Sequence, residues 1–211
     1  MGFYAERVLP HVVDIALGTG ESSKYRALTT AGLTGTVVEV GFGSGLNVPH
    51  YPPEVDKVFA IDPSPGARRL ARRRLDRSPI PVEFAGLEGE SLPFGDASVD
   101  AVLTTWTLCT IPDVDSSLSE IGRVLAPAGR YHFLEHGLHP DIRVQRWQHR
   151  LTPIQRRLGG GCHLDRDIEG LVRHAGFAPT VLEHHQMRGP KTFTYLTRGI
   201  ATKPSRRSVR G

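Results

Sequence analysis

The sequence predicts an α/β fold: a doubly wound, mostly parallel sheet of seven strands whose final strand runs antiparallel. Three observations carry this. Short runs rich in β-branched residues alternate with helix-like segments, the pattern of βαβ units. A glycine-rich turn, VGFGSG, directly follows the first of those runs. The last two strand-like segments are joined only by RGPK, a connection short enough for an antiparallel hairpin.

The elements follow in order. Residues 3–18 read as a helix, or as a helix pair broken near Pro10. Residues 22–33 make a second short helix ending near Gly32. TVVEVG at 36–41 is the first strand, dense in β-branched residues. LNVPHYP leads into a short helix, and residues 55–62 form the second strand. Residues 63–77 form a helix with Pro65 in its first turn, where proline is tolerated. PVEFAG at 81–86 is the third strand, and residues 98–106 are the fourth, apolar enough for burial on both faces. Residues 113–125 form an amphipathic helix, with Leu118, Ile121 and Leu125 in one stripe and acids in the first turn. APAG makes a turn before the fifth strand at 130–137. The alternation then pauses, and residues 144–164 read as polar and irregular around Gly159–Gly161. Residues 165–177 are a helix capped near Asp165 or Asp167, and residues 180–187 and 192–203 are the closing strands.

A chain of 211 residues, 39% apolar and 23% charged, is long enough for one domain with a full core. No apolar run approaches the ~20 residues of a membrane span. The start, MGFYAERVLPHVVDIALG, has no clean apolar core of the kind a signal peptide carries. Glu6 stands where a myristoylation signal needs Ser or Thr. Two cysteines, Cys109 and Cys162, are too few for a disulfide framework, so a reduced, cytoplasmic setting is expected. The net charge of +4 is localised: residues 68–77 hold six arginines, and the tail KPSRRSVRG holds four more basic residues. A nucleic-acid surface would interleave aromatics with those bases. This helix has none, so a solvated face is expected, with no nucleic-acid partner.

In an open parallel sheet, ligands sit beyond the carboxyl ends of the strands. Gly41, Gly43 and Gly45 fall there. Glycine lets backbone N–H groups approach a ligand with no Cβ in the way. The second strand ends in Asp62, 21 residues after Gly41, where an acid accepts hydrogen bonds from the two hydroxyls of a ribose. Loop and acid together imply a nucleoside-bearing cofactor. The spacing is G-x-G-x-G, without the later third glycine of the dinucleotide fingerprint, which disfavours a nicotinamide oxidoreductase. No G-x-x-x-x-G-K-[ST] is present for ATP.

EVGFGSG at 39–45 resembles motif I of the class I S-adenosylmethionine (SAM) dependent methyltransferases, a Rossmann-like family. Asp62 matches that family's ribose-binding acid, with Pro63 and Ser64 after it. EGESLPF at 88–94, followed by DASVDAV, resembles the motif in which an acid and the next backbone N–H hold the adenine. That acid is Glu88 or Glu90, on either side of Gly89. EIGRVLAPAGR resembles the stretch before the fifth strand, with Ala128 where a second glycine is usual. The resemblance covers roughly residues 24–200. TLCTIP, FLEH, a Trp-Gln pair and GCHL are similar to a subgroup acting on small-molecule thiols, and in part to the methyltransferases of quinone biosynthesis.

The resemblance implies SAM as cofactor and S-adenosylhomocysteine as its product. It implies a small-molecule acceptor: a thiol, with O- or C-methylation of a phenol, quinol or lipid as the alternative. It places the cofactor on Glu39, Gly41, Phe42, Gly43, Gly45, Asn47, Asp62, Pro63, Ser64, Glu88, Gly89, Glu90, Thr105 and Trp106, with Asn47 at the methionine carboxylate. No metal is expected. His136 and His163 are the candidate proton acceptors, because neutral imidazole suits that role near pH 7. Cys162 beside His163 invites a covalent mechanism, which direct displacement does not need. Enzymes of this class that methylate nucleic-acid amino groups carry [DN]-P-P-[YFW] after the fourth strand; TTWT stands here instead. The expected organisation is one domain over residues 1–205, with a helical cap at 1–33 and an acceptor-side lid at 138–164. A disordered basic tail is expected at 206–211.

Overall fold

The computed structural model describes residues 4–203; the tail expected at 206–211 lies outside them. Seven strands form one sheet: β1 (Gly35–Val40), β2 (Val55–Ile61), β3 (Val82–Gly86), β4 (Val99–Thr105), β5 (Leu125–His136), β6 (Ala178–Gln186) and β7 (Tyr195–Thr202). Their order is β3-β2-β1-β4-β5-β7-β6. Each neighbour pair from β3 to β5 is parallel, and β7 lies antiparallel to both β5 and β6. The order reverses at β1, so the switch point lies between β1 and β4, where the glycine turn leaves the sheet.

Side chains alternate across the sheet with period two. Val37, Ala101 and Leu103 face one apolar layer, with Leu33, Val48, Val58 and Ala71. Val38, Val40 and Val102 face the other, with Leu118, Ile121, Val124 and Val172. Helix α3 (Pro65–Leu75) covers the first layer, and α4 (Val114–Val124) and α6 (Ile168–His174) cover the second. The caps follow the sequence. Ser64, Asp113 and Asp167 each accept a backbone N–H in the first turn of α3, α4 and α6. The arginine run on α3 is partly structural. Arg68 reaches the carbonyls of Asp62 and Gly86, and Arg74 pairs with Asp14 at 2.9 Å.

Over the sheet edge at the switch point, a π-helical turn (Tyr4–Val8) leads straight into α1 (Leu9–Leu17), with Pro10 in its first turn rather than at a break. Helix α2 (Gly20–Thr30) follows, capped by Thr19. Among the described residues, no helix is long and apolar enough to cross a membrane.

Three expectations need correction. The segment expected to be irregular from 144 is mostly helix: α5 runs Ile142–Leu158 through Pro153. It was hidden because its buried anchors are polar. Gln148 donates to Gly137 O at 3.1 Å and accepts the His139 N–H at 3.0 Å, and Thr152 is buried beside it. The APAG turn is a bulge inside β5, where the register jumps from Leu125 to Arg130 opposite Val99 and Ala101. The antiparallel hairpin across RGPK forms as expected, but residues 192–194, expected as strand, belong to a one-turn helix, α7 (Lys191–Thr194), and β7 starts at Tyr195.

Candidate active site

The chain leaves β1 into the turn at residues 41–45. Gly41, Gly43 and Gly45 have φ of +75°, +60° and +76°, the left-handed region that other residues avoid. Their surroundings differ. A Cβ on Gly41 would strike the Thr107 side chain, and one on Gly45 would press on Phe42 and Val48 at 3.3 Å. One on Gly43 would meet nothing nearer than 3.9 Å. Gly41 and Gly45 therefore let the turn pack, whereas Gly43 keeps a space open.

That space is a cavity of about 690 Å³, beyond the carboxyl ends of β1, β2 and β4. Gly41, Phe42, Gly43, Asp62, Pro63 and Ser64 form its floor. Glu88, Gly89 and Glu90 border one end, and Thr105, Trp106 and Thr107 the other. Leu9, Pro10, Val13 and Leu17 of α1 roof it, with Gly159 and Gly160 alongside. The volume is in the range of small-molecule and cofactor sites.

Asp62 is almost fully buried and accepts two backbone N–H groups, Gly43 on Oδ2 and Ser64 on Oδ1, each at 2.7 Å. One carboxylate thus ties the glycine turn to the start of α3, and each oxygen keeps a lone pair for another donor. Burial raises its pKa above the usual carboxylate value, and the Ser64 and Gly43 N–H bonds oppose that rise.

Beneath the turn lies a buried polar network. Arg26, 4% exposed, extends from α2 and donates through Nη1 to Asn47 Oδ1 at 2.9 Å and Thr105 Oγ1 at 2.8 Å. Asn47 Nδ2 donates to Glu39 Oε1 and Thr105 Oγ1, both at 2.9 Å, and the Tyr51 hydroxyl donates to Glu39 Oε2. Burial lifts the Glu39 carboxyl to about 7 and lowers Arg26 to about 10. Of these residues, Arg26 and Thr105 line the cavity. Glu39, Gly45 and Asn47, expected on the cofactor, do not. Glu39 shares a face of β1 with Val37, away from the opening, and Asn47 folds back under the turn. Arg26 was not identified from sequence. Its one signal was a polar inward face on α2, with Ser22, Arg26, Thr29 and Thr30 at helical spacing and all buried.

Trp106 has φ of +52°, a conformation that costs a non-glycine residue on the order of 1–3 kcal/mol and is held by its surroundings. Its N–H donates to Leu134 O at 2.8 Å, and the Arg26 guanidinium lies 4.6 Å from its ring centre. The next N–H, of Thr107, donates to Glu135 Oε2 at 2.8 Å. Burial lifts Glu135 to about 7, against hydrogen bonds that include the Thr107, Leu108 and Cys109 N–H groups. Glu135 therefore pins the turn that presents Trp106.

The two candidate proton acceptors are not at the cavity. His136 is buried at the end of β5 with Nε2 3.2 Å from Thr192 O, and His163 has Nδ1 3.2 Å from Cys109 O. Neither lines the cavity, whose wall on that side is made by Thr107, Thr110 and Ile111. Proximity in sequence to the rim did not settle which side of the wall they take.

A SAM molecule presents an adenine, a ribose diol and an amino-acid end with a carboxylate. The cavity offers Asp62 with spare lone pairs, an open backbone approach at Gly43, and a buried cation, Arg26, whose Nε has no partner among the described residues. The residues fit the group.

The comparisons with known proteins agree. Residues 38–133 match the family model described as a methyltransferase domain. The thiol S-methyltransferase TMT1B of Rattus norvegicus is 33% identical over 168 residues, 78% of this chain and 67% of that one. The chain thus spans about two thirds of that relative's length. The demethylmenaquinone methyltransferase of Symbiobacterium thermophilum is 31% identical, over 59% of this chain and 42% of that one. Among solved structures, phosphoethanolamine N-methyltransferase 2 of Haemonchus contortus, in complex with S-adenosylhomocysteine, superposes with a TM-score of 0.70 at 15% identity, over 92% of this chain and 57% of that one.

Proposed function

This chain belongs to the family of SAM-dependent methyltransferases, and from that premise we propose that it methylates the sulfur of a small-molecule thiol. One observation carries the choice of acceptor. Among the described residues, the ionisable ones lining the cavity are Glu6, Arg26, Asp62, Glu88 and Glu90, with no histidine, cysteine, lysine or tyrosine. A thiol with pKa near ~8.5 is about 7% ionised at pH 7.4, whereas a phenol near ~10 is about 0.3% ionised. Carboxylates are weak bases toward a phenol of pKa near ~10, so the site suits the acceptor that ionises by itself. The rat relative, named a thiol S-methyltransferase, supports the same reading.

The bound cofactor supplies a methyl group already activated by a positively charged sulfur. The protein's part is to bind, align and shield. Arg26 holds the methionine carboxylate from beneath Trp106, in the role expected of Asn47. Asp62 accepts the ribose hydroxyls, and Glu88 or Glu90, with the Gly89 backbone, borders the adenine. Leu9, Val13 and Leu17 of α1 close over the reacting atoms and exclude water, which strengthens each charge contact inside. Residues 138–164 border the acceptor side, through Gly159 and Gly160.

The test is a panel of alkyl thiols, aryl thiols, phenols and a demethylated quinol, read by S-adenosylhomocysteine release. Thiols should turn over, and kcat/KM should rise as thiol pKa falls toward the assay pH. Turnover of the phenol or quinol with none on any thiol would assign the enzyme to the quinol reading that the Symbiobacterium relative suggests.

A further inference from the structure

Behind the cavity wall, the fold joins the two cysteines of the chain, 53 positions apart in sequence. Cys109 is buried in the turn after β4, and Cys162 is half-buried in the turn after α5. The two turns are docked backbone to backbone. The His163 N–H donates to Cys109 O at 2.7 Å, and Gly161 passes so near Thr110 O that a Cβ would lie 3.0 Å from it. That docking brings the Cys109 and Cys162 side chains together, with His136 and Gln155 beside Cys162.

His136 completes a relay. Its Nε2 faces Thr192 O at 3.2 Å, and a carbonyl only accepts, so Nε2 carries the proton of the neutral ring. Nδ1 is buried and has no hydrogen-bond partner among the described residues, so it is free to take a proton. A thiol, a base and a carbonyl that orients the base are the parts of an activated nucleophile. The neighbouring Cys109 thiol first, and then His136 and Gln155, favour the thiolate and pull Cys162 well below its ordinary pKa. The same pairing raises Cys109. The other charged groups around the pair are Glu135, at the end of β5, and Arg166, which donates to Leu108 O.

We propose that Cys162 and Cys109 form a reactive dithiol that a hydroperoxide oxidises to an intrachain disulfide. The Cys162 thiolate attacks one peroxide oxygen and the O–O bond breaks. The departing oxygen leaves as an alcohol, or as water from hydrogen peroxide, and Cys162 becomes a sulfenic acid. The Cys109 sulfur then attacks that sulfur; the S–S bond forms, the S–O bond breaks and water leaves with the Cys109 proton. Two thiols and one hydroperoxide give one disulfide, one water and one alcohol. A disulfide needs its sulfurs about 2.05 Å apart, closer than a thiol hydrogen bond. The turn at 159–164 is therefore drawn toward residues 107–111, and both segments border the cavity.

The experiment treats the full-length protein with one equivalent of hydrogen peroxide and maps it by proteolysis and mass spectrometry. Both thiols should disappear together, with loss of two hydrogen masses, a linked Cys109–Cys162 peptide, and recovery under dithiothreitol. Iodoacetamide at pH 6 should alkylate Cys162 at least about tenfold faster than free cysteine, because free cysteine is almost all thiol there. His136→Gln should slow that alkylation. A protein that keeps both thiols, or that oxidises Cys162 with no Cys109–Cys162 peptide, overturns the proposal, and neither outcome depends on the variant folding.

Discussion

Replacing Arg26 with methionine removes one buried positive charge and keeps most of the side chain's length against Trp106. In the protein alone, Thr105 Oγ1 retains the Asn47 Nδ2 donor at 2.9 Å, but Asn47 Oδ1 loses its partner. A buried acceptor left bare costs about 1–3 kcal/mol, which sets the expected loss of stability. Glu39 limits the damage: its carboxyl already titrates at about 7, and losing the Arg26 charge pushes it higher, so it takes up a proton at neutral pH. The cofactor loses a charge-assisted hydrogen bond of about 1.5–3 kcal/mol, or roughly 10- to 150-fold in Kd. The assay is calorimetry with two ligands on one protein. S-adenosylhomocysteine carries the carboxylate and should weaken by that factor. 5′-Methylthioadenosine carries the same nucleoside without the amino-acid end and should bind as it does to the unmodified protein. Equal losses for both ligands, or none for S-adenosylhomocysteine, would refute the placement of Arg26 on the carboxylate.

Three further outcomes are expected. Gly43→Ala should lose cofactor binding, because it adds a side chain to the cradle as well as left-handed strain of about 1–2 kcal/mol. Gly176→Ala, at φ +85° with nothing within 4 Å, is the control: it should show the strain in thermal unfolding and leave binding intact. Asp62→Asn sets an amide N–H against the Gly43 or Ser64 N–H, and SAM affinity should fall by about 1–3 kcal/mol, with unchanged affinity counting against the ribose role. Glu39→Gln tests the buried network by pH. A carboxyl raised from 4.5 to about 7 holds a proton in the folded state that the unfolded chain gives up. Its contribution to stability is therefore full below pH 4.5 and is lost as pH rises to about 7, on the order of 3 kcal/mol. The variant should gain on the wild type between pH 5 and pH 8 in urea unfolding; parallel curves would mean that Glu39 is ionised throughout.

The parts of this fold that were legible in sequence are those whose cause is local. Strands β1, β2 and β4 announce themselves by runs of valine, isoleucine and threonine, α4 by its stripe, and the cofactor turn by glycines that sit at positive φ. Helix α5 was not legible because its register is fixed by Gln148 reaching Gly137 and His139, an interaction no apolar period records. The same distinction divides the site. Gly43 and Asp62 lie at the cavity because a turn and a strand end put them there. Arg26 reaches it by spanning 79 positions to Thr105, and only the closed sheet brings them together. Glu39 and Asn47 show the converse: both flank the glycine motif, yet strand alternation and the fold of the turn bury them one layer below it. A motif therefore marks where the backbone must bend around a ligand, and the charges that hold the ligand can come from helices that carry no motif. In this chain the one cation that lines the cavity, among the described residues, comes from such a helix, and the base expected from β5 faces a cysteine pair on the far side of the wall. The acceptor chemistry thus depends on a roof and a rim, α1 and residues 159–160, whose sequence records only that they are apolar or small.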